Sequence, residues 1–153
     1  MLSQVYWQTS NRVLVVKGIG TINLDDANAI KQVMDIVLSD ANAHVHFLID
    51  ARDKDGLDPQ LFKLRETVSA LTQNRTWRGK PGWIIVVDQH PNPVMEFVTS
   101  IATQLIKAQF RVFRTMDEAL TFLQHLDAQI VPTLPAEPEN LLATFLQLSA
   151  IPD

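Results

Sequence analysis

Apolar positions along this chain switch between two spacings, and the switches mark its elements. Gln4–Thr9 is extended in pattern, a polar turn follows at Ser10–Asn11–Arg12, and Val13–Lys17 is a continuous β-branched run typical of a buried strand. Their short separation allows antiparallel pairing, and Gly18 and Gly20 are expected to break the second run. From Asn23 or Leu24 the period lengthens. Ile30, Val33, Met34, Val37 and Leu38 share one helical face, and Asp25 and Asp26 in the first turn oppose the positive end of the macrodipole. Val45–Ile49 predicts a third strand ending at Asp50, and Asp58–Pro59, a cap followed by a preset φ, starts a helix burying Leu61, Leu64, Val68 and Leu71. Trp77–Gly82 reads as a loop before a fourth strand, Trp83–Val87, which ends at Asp88. Asn92–Pro93 repeats the cap-plus-proline start, with Val94, Phe97, Val98, Ile101 and Leu105 inward. Phe110–Phe113 predicts a short last strand, and Thr115–Glu118 a capping box before a helix that buries Ala119, Leu120, Leu123 and Leu126.

The order β-β-α-β-α-β-α-β-α requires right-handed crossovers. It predicts an α/β domain over residues 1–126: a mixed, mostly parallel five-stranded sheet, antiparallel at its N-terminal edge, with about four helices forming one layer against it. Beyond it, residues 127–153 change character. Pro132, Pro135 and Pro138 define an extended linker, and Glu139–Ser149 resumes helical periodicity through Leu141, Leu142, Phe145, Leu146 and Leu148. A helix that short needs a surface, either its own domain or a twin subunit reached by an exchanged arm, and a twofold homodimer is expected on that ground.

Composition narrows the function classes. The 153 residues are 46% hydrophobic and 20% charged, an ordinary globular balance. With no cysteine, disulfides, thiol redox chemistry and thiolate zinc sites are excluded together. No stretch reaches the length of a membrane span. The start, MLSQVYWQTSNR, lacks a cationic head and a continuous apolar core, so no signal peptide is expected and cytoplasm is the expected location. The net charge is −4, and all thirteen cations and thirteen of the seventeen acids lie within residues 1–126. Such a balance does not suit a nucleic-acid binder. The one local excess of cations, Arg52 to Lys80, reads as a solvated face or an anion-binding patch.

No nucleophile elbow, phosphate-binding loop, zinc-protease helix or calcium loop is present. Gly18-Ile19-Gly20 stands between a strand and a helix, but Asn23 occupies the place of a dinucleotide fold's third glycine. His44 and His46 share a strand face without a third ligand nearby in sequence, so no metal or cofactor is expected. Asp50, Asp88 and His90 are the candidate catalytic group: both acids end parallel strands at the edge where α/β sheets bind ligands, and an acid with a histidine two residues on suits acid–base work. Equally, acids at strand ends hold loops through backbone N–H groups. Trp77, in the cationic loop, is either packed under the sheet or an interface anchor.

The run Val13-Leu14-Val15-Val16-Lys17-Gly18, continuing to Leu24-Asp25-Asp26-Ala27-Asn28-Ala29-Ile30, resembles the opening of the STAS family, which includes the bacterial anti-sigma factor antagonists (SpoIIAA-like). Val45–Asp50 and the closing Arg111-Val112-Phe113-Arg114-Thr115-Met116-Asp117-Glu118-Ala119-Leu120 extend the resemblance over residues 5–126. In those antagonists a serine, in a loop reading aspartate, two serines, glycine and leucine, is phosphorylated by a partner kinase. The matching stretch here is Asp53-Lys54-Asp55-Gly56-Leu57, in which Asp53, Gly56 and Leu57 agree and both serines are replaced. Asp55 stands at the acceptor position with about −1 of charge against the −1.5 to −2 of a phosphoserine. The resemblance therefore implies a non-enzymatic regulatory domain without the phosphorylation switch. It would bind a protein partner through an exposed loop formed by Arg52, Asp53, Lys54, Asp55, Gly56 and Leu57, aided by Trp77. Two alternatives stand beside it: an apolar-ligand or lipid carrier with a cavity near Phe62, Phe97 and Ile101, and an enzyme using Asp50, Asp88 and His90.

Overall fold

The computed structural model describes residues 1–60, 81–90 and 109–149. One five-stranded sheet organises them, in the order β1 (Leu2–Thr9), β2 (Val13–Ile22), β3 (Val45–Leu57), β4 (Pro81–Val87) and β5 (Gln109–Phe113). β1 runs antiparallel to β2, and every later pair is parallel. This is the mixed sheet that the element order predicts. Asn11, with φ 61°, turns the β1–β2 hairpin, a conformation asparagine tolerates better than most residues.

Among the described residues three helices pack on the sheet: α1 (Leu24–Asp40), α2 (Met116–Leu126) and α3 (Leu142–Ser149). They do not form one layer. Val33, Met34, Val37 and Leu38 of α1 meet Val5, Leu14, Val16, Phe47 and Ile84 on one face, where Leu142 and Phe145 of α3 also pack. Ala119, Leu120 and Leu123 of α2 meet Tyr6, Val13, Val15, Leu48, Ile85 and Val87 on the other. The single helical layer is thus corrected, and the two-sided cover explains why β2 reads as an unbroken apolar run: strands buried on both faces do not alternate. Truncating Leu38 or Leu123, both fully buried, costs about 2–5 kcal/mol through lost burial and the cavity left behind.

Helix α1 starts where its cap dictates. Asn23 Oδ1 accepts the Asp26 N–H at 3.0 Å and Asp26 Oδ2 accepts the Asn23 N–H at 2.9 Å, a complete capping box. Asp26 is more than a macrodipole partner, since its Oδ1 also accepts the Leu2 N–H and its Oδ2 meets the Met1 ammonium at 3.1 Å. At α2, Thr115 Oγ1 accepts the Glu118 N–H at 3.2 Å, and the carboxylate half of the expected box is not formed. Leu126, expected in the core, is exposed. Asp58 Oδ1 accepts the Gln60 N–H at 2.9 Å. The helices expected after Pro59 and Pro93 lie outside the described residues.

Candidate functional site

The carboxyl end of β3 differs from expectation in a way that decides the site. Rather than stopping at Asp50, β3 stays paired with β2 as far as Leu57 opposite Ile22. Likewise Gly18 and Gly20 do not break β2, so the supposed glycine-rich turn is strand. Two irregularities interrupt the pairing. From Asp50 to Asp53, β3 contains one residue more than β2 from Lys17 to Ile19, and Lys54 to Gly56 again contains one more than Gly20 to Thr21. Such bulges bend a strand and re-aim its side chains. Asp55 is the extra residue of the second. Opposite it, Gly20 has φ 64°, a left-handed conformation that costs glycine nothing sterically. The loop expected at Arg52–Leu57 is therefore a doubly bulged strand. The two extra residues upset the period of two, and charge at four successive positions hides what remains of it.

Charge pairing follows from this re-aiming. Asp50, fully buried, is held bidentately by Arg52: Nε donates to Oδ1 and Nη2 to Oδ2, both at 2.9 Å. The Arg52 backbone N–H adds a third bond to Oδ1 at 3.2 Å. Hydrogen bonding to Asp50 pushes the guanidinium pKa above its usual value, and burial followed by the Asp50 charge pushes the Tyr6 phenol up. Lys54 crosses to β4, where its ammonium meets Asp88 Oδ2 at 2.8 Å, with both side chains buried. Asp53 is exposed and meets Lys17 at 3.0 Å. Asp55 is exposed, and Leu57 packs at the edge of the cluster around Ala51 and Val86. Gly56 is half-buried. Trp77 lies outside the described residues.

The catalytic alternative is not assembled. Asp50 is level with Val87 in the β3–β4 register, so its side chain lies on the α2 side, whereas Asp88 is one residue past the end of β4. Each carboxylate has a different cation. His90 is exposed and meets Asp88 only through its backbone N–H, at 3.0 Å from Oδ1. At the opposite edge His46 Nδ1 accepts the Trp83 N–H at 2.8 Å. Burial, then the neighbouring His44, lowers the His46 pKa. Among the described residues no group of three or more histidines and acids is placed to hold a metal. Phe62, Phe97 and Ile101, expected around an apolar cavity, lie outside the described residues. No helix among the described residues is long and apolar enough to cross a membrane.

The Lys54–Asp88 pair has no local signature in the sequence. Its partners are 34 positions apart, and only the bulge brings them together, so no local spacing signals it. The one sign of it in the sequence is the acid that follows β4.

Comparison with known proteins adds similarity of shape. No family model matches the chain, and no curated protein matches it. Among solved structures it is similar to an uncharacterized protein of the DUF3478 family with a SpoIIAA-like fold from Shewanella loihica, at 17% identity and TM-score 0.48, covering 80% of this chain and 92% of that one. It is also similar to an anti-sigma factor antagonist from Mycobacterium paratuberculosis, at 21% identity and TM-score 0.47, covering 81% and 95%. A third is the anti-sigma factor antagonist SpoIIAA in its unphosphorylated form, at 12% identity and TM-score 0.45, covering 82% and 97%.

Proposed function

We propose that this chain is a non-enzymatic, STAS-like regulatory domain that binds a protein partner through the bulged end of β3, with Asp53 and Asp55 as the contacting side chains. The observation that carries this reading is the division of charge along Arg52–Leu57. Arg52 and Lys54 are consumed in neutralising buried Asp50 and Asp88, while Asp53 and Asp55 face solvent. Buried carboxylates held by cations are structural, because removing their partners costs several kcal/mol. What the edge offers outward is a short ridge of two acids, Asp53 with Lys17 beside it and Asp55 beyond, held rigid by pairing with β2.

Asp55 occupies the position where the resembled family carries its phosphorylated serine, and an aspartate takes no phosphate from a serine kinase. The surface is then permanently acidic, suited to a basic patch on the partner. Three copies of the chain as bait test this in extract of its native host: unaltered, Asp55→Arg and Asp55→Ser. The reading expects one protein retained by the unaltered chain at physiological salt and lost with Asp55→Arg. Retention of the same proteins by all three baits contradicts it.

A further inference from the structure

The C-terminal segment passes around the outer strand β1 from one face of the sheet to the other. On the α2 side Ile130 is buried and Leu134 packs on the same core. There Gln8 Nε2 donates to the carbonyls of Val131 and Thr133, and Thr9 Oγ1 accepts the Val131 N–H at 3.0 Å. On the α1 side Asn140 Oδ1 accepts the Val5 N–H and Asn140 Nδ2 donates to the Ser3 carbonyl, both at 3.1 Å. The Leu141 N–H donates to the Val5 carbonyl at 2.6 Å. These are the outward backbone groups by which an edge strand accepts another chain. Asn140 Oδ1 also accepts the Leu142 N–H at 3.1 Å, which starts α3, and Leu142 and Phe145 then reach the α1 core.

Three features mark this segment as a ligand of its own domain. Among the described residues no hydrogen bond ties residues 134–139 to the body, and Pro135 and Pro138 keep that stretch extended. Helix α3 has eight residues, too few to persist without a surface, and its Leu146 and Leu148 are exposed. Beside Phe145 lies an open groove of about 450 Å³ with a mixed lining, Trp7, Ile36, Val37 and Val45 together with Asn11 and Asp40.

We propose that the outer edge of β1 and the adjoining face of α1 form a peptide-docking site whose resident ligand is residues 140–145, and that the same segment of a second copy of this chain replaces it. The site reads an asparagine side chain that pairs with a strand's N–H and C=O, followed by two apolar residues three positions apart on one helical turn. A second copy carries that pattern, and reciprocal exchange preserves every contact described above. The proposal stands apart from the reading of the β3 end, which uses neither β1's outer edge nor α3.

The test uses the full chain and a fluorescent peptide of residues 137–149. In the unaltered chain the tethered segment competes at an effective concentration on the order of millimolar. An Asn140→Ala chain, with folding checked by circular dichroism, is therefore expected to bind the peptide about tenfold or more tightly than the unaltered chain. Leu142→Ala serves as a second variant with the same expectation, and a peptide carrying Asn140→Ala is expected to bind neither. Equal binding by unaltered and variant chains, or none by either variant, overturns the proposal. Deleting residues 134–138 gives a second arm: the two residue steps left between Thr133 and Asn140 span at most about 7 Å, against about 10 Å of β1 from Gln8 to Val5. That chain is expected to run as a dimer in sedimentation, and a folded monomer overturns the exchange.

Discussion

The Lys54 ammonium lies 2.8 Å from Asp88 Oδ2, and both side chains are more than nine-tenths buried. Among the described residues Asp88 Oδ2 has no hydrogen bond, so this cation is what compensates its charge. Lys54→Met leaves a buried carboxylate alone and is expected to cost about 3–5 kcal/mol in denaturant unfolding. The double variant Lys54→Met/Asp88→Leu removes both charges and should recover most of that loss. Two single-variant costs that simply add would show that the pair is not coupled.

Gly20 and Gly18 test the bulged strand by contrast. At Gly20 the obstacle is backbone conformation, φ 64°, which costs a side-chain-bearing residue about 1–2 kcal/mol. At Gly18 a Cβ would sit 2.7 Å from Ile22 Cδ1, the far end of a flexible side chain that can move aside. Gly20→Ala is therefore expected to destabilise more than Gly18→Ala by thermal unfolding. It should also speed hydrogen exchange of the Gly56 and Leu57 amides. The reverse order would argue against the left-handed bulge.

His46 makes stability depend on pH with a defined sign. Its neutral Nδ1 accepts the Trp83 N–H, and a protonated Nδ1 has no lone pair with which to do so. Because burial lowers its folded-state pKa, its contribution is full above the unfolded imidazole value of about 6.5. It is lost as pH falls from there through the lower folded value. Unfolding free energy should drop more steeply below about pH 6.5 in the unaltered chain than in His46→Gln. Gly82 guards the same contact, since a Cβ there would lie 2.4 Å from His46 Nδ1. Gly82→Ala should destabilise by about 1–3 kcal/mol through loss of that bond.

How far the sequence is legible follows from which signals are local. The α1 start and the apolar stripes of α1 and α2 are written in spacings of two to four residues, and the structure agrees with them except at Leu126, which is exposed. The direction of each strand pair is written in the order of the elements, and the structure agrees with that too. The end of β3 is not legible, because two bulged residues among alternating charges erase its period. Nor is the placement of α2 opposite α1, since an apolar stripe shows that a helix packs but not on which face of a sheet. At the candidate site the run Arg52–Leu57 is legible as unusual. Its sorting into inward cations and outward acids depends on Asp50 and on Asp88, 34 residues beyond Lys54.

The acidic ridge carries a prediction separable from folding. Asp55→Arg changes an exposed side chain and is expected to alter stability by less than about 0.5 kcal/mol. Asp53→Arg also breaks the exposed pair with Lys17 and is expected to cost up to about 1 kcal/mol. Near-unchanged melting temperatures would permit their use as binding probes, whereas a large drop in either would mean that the side chain is structural.

The central claim is that the β3 end is a surface for another protein rather than a reaction centre. Its most direct measurement is site-specific photocrosslinking in the native host, with the photoreactive residue placed at position 55 or, on the exposed outer side of α2, at position 117. A discrete protein adduct at position 55, absent at 117 and abolished by Asp53→Arg, is the predicted result. No adduct at 55, or the same set at both positions, would contradict it.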